Sequence, residues 1–496
     1  MWRERDRTLF RVFIFAGGAL CLFYAIIFRP ITFEGQGDYP AYLDLARQIF
    51  HLPGATENDL SHRSPLYSLL MGLFILLFGE AHYTIPLVLF QYGLVFLSSL
   101  LVYRIVLMLT GRDTAAFIAA FAGMVNLATV FFGYMILSET LALFLFTLSV
   151  WLLLNYVKGA GRTAIITAGL VTGLLILARF NMMGFPVVIL VLLTIFFIFG
   201  EHRCGIRKAA ADMSLFLAGL CLVLNGWAFR NYLENGRYEL VPRHHLGARW
   251  AVPATISPSD TISSEYQPVL DIFLQTRGEL LDKERSRVNR QSSLLENDFI
   301  RRMNDSFRPS VSGYLMYRDS EEELLRYYGL AKNQEGLRLL NEKLKPFYGQ
   351  IAAQHKSEIS RFRIYSLLYT FKHISPTLAG EDRLNLNKLP SPLLKAYKVL
   401  FIAVALLVYL VSLIHTVYLL LRRERIRAGL RWLMIYGLIW YFPVVNWYAN
   451  VLGDANRFRY PADMLLTGLF VCYLYIAAAL RGTGGSKGIM NKQLTV

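Results

Sequence analysis

Apolar residues run along this chain in blocks, and most of the blocks are long. A helix needs roughly 20 apolar residues to cross the hydrocarbon core of a bilayer. Ten stretches meet or approach that length: 10–28, 84–108, 114–133, 138–157, 162–179, 183–200, 209–229, 395–420, 431–449 and 461–480. One more apolar run, Leu66–Phe78, is 13 residues long and follows Ser64-Pro65, which predicts a re-entrant or interfacial helix. If that run crossed, every later loop would change sides. Lys and Arg set the orientation: they gather at Arg112, at Lys158 and Arg162, over His202–Lys208, over Arg422–Arg427 and at both termini. Basic turns belong in the cytoplasm, and ten spans with both ends inside put all of them there. Two regions then face outward, a first loop of about 29–83 and a polar insertion of about 230–394.

Within the insertion, Pro268–Leu281 and Glu321–Leu344 carry helical amphipathic patterns, while Tyr238–Ala254 reads as strand-like or irregular. The expected fold class is an all-α polytopic membrane protein of about ten transmembrane helices. Interfacial helices occupy its first outer loop, and its extracytoplasmic insertion is mixed but mainly helical. The expected divisions are a transmembrane module over 1–229, an extracytoplasmic domain over 230–394, and further spans with a cytoplasmic tail over 395–496.

Composition agrees with that pattern: 55% of residues are hydrophobic and the mean hydropathy is +0.40. The formal charge of +16 would suit a nucleic-acid binder if it formed one stripe. The basic residues instead cap apolar blocks, as membrane topology requires, so membrane lipids and not nucleic acid are the expected surroundings. The four cysteines, Cys21, Cys204, Cys221 and Cys472, lie in or beside apolar segments and form no CxxC pattern or disulfide framework. The basic N-terminus and the apolar run after it resemble a signal peptide, but no small-residue cleavage pattern follows Phe28. An uncleaved first span is expected.

Five arginines break the orientation rule by falling on the outer side near membrane level: Arg63 before Ser64-Pro65, and Arg179, Arg230, Arg457 and Arg459 at outer ends of spans. A guanidinium group at that depth matches phosphate oxygens in a bidentate fork, and the low local dielectric strengthens the contact. Snorkelling to lipid headgroups is the competing account for any one of them. Outward carboxylates form a second set. Asp38, ahead of Pro40 and the amphipathic stretch Ala41–Phe50, suits catalysis and equally a helix N-cap. Glu139 lies inside the apolar run Phe131–Leu154, where a carboxylate is costly unless it is paired or lines a polar cavity. Asp44 reads as a helix-surface residue, and Asp454 as an ion-pair partner of Arg457. The adjacent pair His244-His245 has no HExxH or spaced Cys/His set beside it, there is no G-x-S-x-G elbow, and Gly17-Gly18 lies within a span. Hydrolase and nucleotide-binding chemistries are not indicated.

Several stretches together resemble one family. They are Gly37-Asp-Tyr-Pro-Ala-Tyr-Leu-Asp-Leu-Ala-Arg47, His62-Arg-Ser-Pro-Leu-Tyr-Ser-Leu-Leu70 and Leu137-Ser-Glu-Thr140, followed by Gly173–Phe180, Trp227-Ala-Phe-Arg-Asn231 and Arg457-Phe-Arg-Tyr-Pro461. In that order they resemble the GT-C membrane glycosyltransferases, in the branch of the protein O-mannosyltransferases and the aminoarabinose transferase of lipid A. The likeness covers roughly the first 235 residues and the tail, and leaves the insertion out. It implies a glycosyltransferase in the cell inner (plasma) membrane that takes a sugar from a polyprenyl-phosphate donor. The acceptor would be a hydroxyl of a lipid, glycan or protein on the extracytoplasmic face. It also implies Asp38 as catalytic base and Glu139 as the second acidic residue. Two departures stand out: Ser64-Pro65 replaces the family's common Pro-Pro, and no DxD or other clear metal-ligand motif is present, so dependence on a divalent metal is left open. A polytopic transporter or lipid-linked-saccharide flippase is the alternative. Its polar residues would be expected nearer mid-bilayer than these.

Overall fold

A computed structural model describes residues 4–28, 38–55, 64–199, 206–236, 238–240, 251–288, 313–332, 334–370, 391–449 and 459–482. Among the described residues there are helices and no strands. The chain opens with α1 (Glu4–Ile27), the short helices α2 (Tyr39–Ile49) and α3 (Pro65–Phe78), and the long α4 (Thr84–Thr110). Next come α5 (Asp113–Val125), α6 (Leu127–Tyr134), α7 (Glu139–Val157), α8 (Arg162–Ala178), α9 (Phe185–Phe199) and α10 (Ile206–Asn235). The insertion holds α11 (Ala251–Thr255), α12 (Gln267–Val288), α13 (Gly313–Tyr327), α14 (Gln334–Gln354) and α15 (Lys356–Thr370). The chain then returns through α16 (Ser391–Leu421), α17 (Arg423–Ala449) and α18 (Asp463–Gly482).

Each of the ten expected spans is helical. Among the described residues, seven helices are long and apolar enough to cross a membrane, and there is an eighth if α5 and α6 count as one broken span. Of the remaining two, α8 has only 17 residues. The other, α17, begins on Arg423, Arg425 and Arg427 and is rich in Trp and Tyr, so its apolar character is diluted along its length. The protein is a polytopic, all-helical membrane protein.

The third span departs from expectation. Instead of one rod over 114–133, α5 and α6 meet at a 53° bend. Asn126 leaves the helical conformation there, with φ −60° and ψ 127°, and its side chain accepts a hydrogen bond from the Ala128 amide, capping the new helix α6. At the far end of α6, carbonyls left without helical partners inside an apolar bundle need donors, and α4 supplies one. The Gln91 amide donates to the carbonyls of Gly133 at 3.0 Å and Met135 at 2.8 Å, and the Tyr67 hydroxyl donates to Gln91. These bonds hold the end of α6, and the turn after it leads to α7, which begins with Glu139.

Helix α8 lies against α7 on one side and α10 on the other. Its contact with α10 is backbone to backbone: a Cβ on Gly169 would run into the Phe216 carbonyl, and one on Gly219 into the Ile166 carbonyl. Small residues permit this approach, which in lipid replaces the hydrophobic force as the source of helix association.

The insertion has its own buried cluster, built from Val269 and Phe273 of α12, Leu324 of α13, and Leu340, Leu344 and Phe347 of α14. The amphipathic stretch expected over Glu321–Leu344 is two helices, divided where Gly329 takes φ +62°, a conformation glycine adopts without strain. The strand-like or irregular reading of Tyr238–Ala254 holds as irregular at 238–240 and fails at its far end. Ala251–Thr255 is a helical turn that buries Val252 and Ala254, and 241–250 lie outside the described residues.

Candidate functional site

Two short helices and four spans bring chemistry together at the end of the bundle nearest the insertion. Glu139 is the first residue of α7 and Arg179 follows the last residue of α8. These helices are joined at their opposite ends by the tight turn Lys158–Gly161, so the two side chains, 40 residues apart in sequence, meet. Arg179 Nη1 stands 3.0 Å from Glu139 Oε1, with side chains 6% and 0% exposed. A carboxylate this deep requires a counter-charge, and the N-terminal end of α7 adds a favourable helix dipole.

The loop that carries α2 and α3 closes over this pair. Helix α2 buries Tyr39, Tyr42, Leu45 and Ala46, one face of an amphipathic helix, against α3. The Tyr42 hydroxyl is 2.9 Å from Ser138 Oγ, beside Glu139, and its ring meets Tyr67 edge to face. The Tyr39 and Tyr83 hydroxyls are 2.7 Å apart; burial, then this hydrogen bond, push the Tyr83 phenol well up, keeping it protonated. Arg47 forms an ion pair with Glu80. From the other side, Ser64 accepts a hydrogen bond from the Phe180 amide at 3.0 Å, next to Arg179. The turn Tyr460–Ala462 packs against α7, which Glu139 heads.

Asp38 sits at the N-cap position of α2, half-buried, one turn before Tyr42. Its main-chain carbonyl accepts from the Tyr42 amide, but its side chain makes no capping hydrogen bond. The N-cap account of Asp38 thus holds for its position and fails for its carboxylate. Asp44, expected on the helix surface, is half-buried.

The other sequence-derived candidates separate. Arg63, Arg457, Asp454 and His244-His245 lie outside the described residues. Arg230 makes local contacts: its guanidinium lies 5.1 Å from the centre of the Trp227 ring and Nη1 is 3.4 Å from Asn231 Oδ1. Arg459 was expected to hold phosphate, and the structure gives its donors other work. Its side chain is fully buried, Nε is 2.8 Å from Asp463 Oδ1, Nη1 donates to the Thr370 carbonyl, and the guanidinium lies over the Phe401 ring. Asp463 was missed by sequence reasoning although it stands four residues after Arg459, the spacing of a helical ion pair. Among the described residues, no group of three or more His, Cys, Asp or Glu side chains is arranged to hold a metal ion.

No protein-family model and no curated protein matches this chain. Two crystal structures are similar to it, both of ArnT from Cupriavidus metallidurans. The form bound to undecaprenyl phosphate is 16% identical, with 93% of this chain and 77% of that chain covered and a TM-score of 0.37. The apo form is 14% identical, with 95% and 78% covered and the same TM-score. Similarity at this level bears on neither residue roles nor the reaction.

Proposed function

We propose that this protein is a membrane glycosyltransferase that moves a sugar from a polyprenyl-phosphate donor to an acceptor hydroxyl on the extracytoplasmic face of the cell membrane. The observation that carries the reading is the buried Glu139–Arg179 pair, linked by Ser138 and Tyr42 to the helix that Asp38 heads. It sets a guanidinium and two carboxylates at one end of the bundle, under a cover of interfacial helices.

In this reaction the acceptor hydroxyl gives its proton to the Asp38 carboxylate as its oxygen attacks the anomeric carbon. The bond from that carbon to the phosphate oxygen breaks, and polyprenyl phosphate leaves with the bonding electrons. Attack opposite the leaving group inverts the anomeric centre. A phosphate monoester leaves without a strong general acid when cations hold its charge, which is the role of Arg179, with Arg63, Arg230 and Arg457 as further donors. Glu139 aims the Arg179 fork and balances its charge within apolar surroundings. Arg459, occupied by Asp463, is left out of the phosphate site.

The test is transfer of radiolabelled sugar from a panel of polyprenyl-phosphate sugars by purified protein in lipid nanodiscs. Wild type is expected to transfer or slowly hydrolyse one donor, and a well-folded Asp38→Asn variant to lose about 10²–10⁴-fold in rate, the usual contribution of a general base. Undiminished activity in Asp38→Asn would remove Asp38 from the base role. No turnover of any donor would overturn the glycosyltransferase reading.

A further inference from the structure

The residues around Arg459 join the insertion to the membrane bundle at one point. Thr370 is the last residue of α15, the final described helix of the insertion. Carbonyls in the last turn of a helix lack intrahelical partners and carry the negative end of its dipole, so a guanidinium is a suitable receptor for them. Arg459 donates to the Thr370 carbonyl from a fully buried position. The Thr370 hydroxyl accepts from the Asn446 amide of α17 at 2.9 Å. Asp463, held at 2.8 Å, fixes the fork from behind.

The same point reaches the Glu139 site along two short routes. Tyr460 follows Arg459 directly; its ring centre lies 4.4 Å from that of Phe132 on α6, and the turn Tyr460–Ala462 packs against α7, which Glu139 heads. Tyr397 of α16, where the chain returns from the insertion, bonds to the break in the third span: its hydroxyl accepts from the Leu127 amide at 3.1 Å and lies 3.2 Å from Asn126 Oδ1. From that break, α6 runs for eight residues, and a turn then delivers Glu139.

We propose that the contact of Arg459 with the carboxyl end of α15 is a latch by which the insertion sets the position of α6 and Glu139, so that Arg459 and Asn446 are positioning residues for transfer. The catalytic half of this inference rests on the function proposed above; the mechanical half does not. Seating of α15 holds Tyr460 and the Asn126 break in place, and Glu139 keeps Arg179 aimed. Displacement of α15, by whatever the insertion binds, releases them.

The experiment uses the full chain in nanodiscs, without donor, and compares amide hydrogen exchange in wild type, Arg459→Lys and Asn446→Leu. The second variant breaks the Thr370 side-chain link and leaves the ion pair whole. Exchange over residues 127–140 is expected to rise several-fold in both variants, with 84–110 and 162–178 unchanged. Changes confined to α15 and α18 would overturn the latch. If Arg459→Lys exchanges faster everywhere it has unfolded, and Asn446→Leu alone decides. In the transfer assay both variants are expected to lose about tenfold in kcat with the donor KM unchanged, a coupling of ordinary size for residues that touch no ligand. Unchanged kcat in an active enzyme whose exchange has risen would also overturn it. If no donor on the panel is turned over, the proposed function fails while the exchange result still decides the mechanical half.

Discussion

Two buried arginine–carboxylate pairs lie near one end of the bundle, and they are built differently. Glu139 and Arg179 come from two helices and meet only because the α7–α8 hairpin folds them together. Arg459 and Asp463 are four residues apart on one turn and pair wherever that turn is helical. The second arginine also donates to a main-chain carbonyl, leaving its fork little capacity for a ligand, while the first sits beneath a cover of short helices. A local pair of this kind is a joint. A pair assembled from distant segments, beneath a cover, has the makings of a site.

The largest effects should come from halving either pair. Asp463→Asn or Glu139→Ala leaves a buried guanidinium without its carboxylate, an arrangement that costs about 3–5 kcal/mol. Denaturant titration in detergent is expected to show a similar loss for both. The comparison sharpens when whole pairs are replaced by apolar residues, since that restores stability in many proteins. Arg459→Met with Asp463→Leu should recover most of the stability and, through the loosened latch, lose about tenfold in transfer. Glu139→Leu with Arg179→Met should also recover stability, yet lose about 10²–10³-fold in transfer, as removal of a charge-stabilising donor does. Equal losses of transfer in the two double variants would erase the distinction drawn here. A smaller change is Tyr42→Phe, which removes the bond to Ser138; about 1 kcal/mol of stability is expected to go, with a measurable rise in the donor KM.

The smallest prediction concerns a carboxylate in the insertion, away from both pairs. Glu321, in the insertion, is pushed above its ordinary value of 4.5, by burial first, with Lys332 pulling the other way. A carboxyl with a raised folded-state value binds protons more tightly folded than unfolded. Its ionisation therefore subtracts from stability as pH rises through and above the ordinary value, and the penalty is absent below it. Glu321→Gln is expected to raise the melting temperature slightly at neutral pH and to leave it unchanged near pH 3. A gain that persists in acid would disprove the assignment.

Much of the architecture was legible because the signals are long. Twenty apolar residues flanked by basic turns mark a span whatever the neighbours do, and the shortness of Leu66–Phe78 was enough to set it apart. The site was half legible. Glu139 and Arg179 each stood out as a charge at a costly depth, but their pairing depends on the length of a hairpin and the rotation of two helices, which no local pattern encodes. Asn126 hid in a continuous apolar run, although a cap-forming residue inside such a run is the signal that would have found the bend. Asp463 falls inside the apolar stretch 461–480 and so was not matched with Arg459. In the insertion, the end of a stretch read as strand-like or irregular is a helical turn, Ala251–Thr255, since over five residues burial outweighs propensity.

The close approach of α8 and α10 has a genetic consequence. Gly169 lies ten residues before Arg179, about 15 Å along the helix, and Gly219 faces it from α10. Neither touches anything that reacts. Any side chain at either position pushes the two helices apart, and Arg179 travels with the end of α8. A loss-of-function screen would therefore return these glycines beside Asp38 and Glu139. No smaller side chain opposite should rescue such a variant, because what the new group meets is backbone and the defect would be one of spacing.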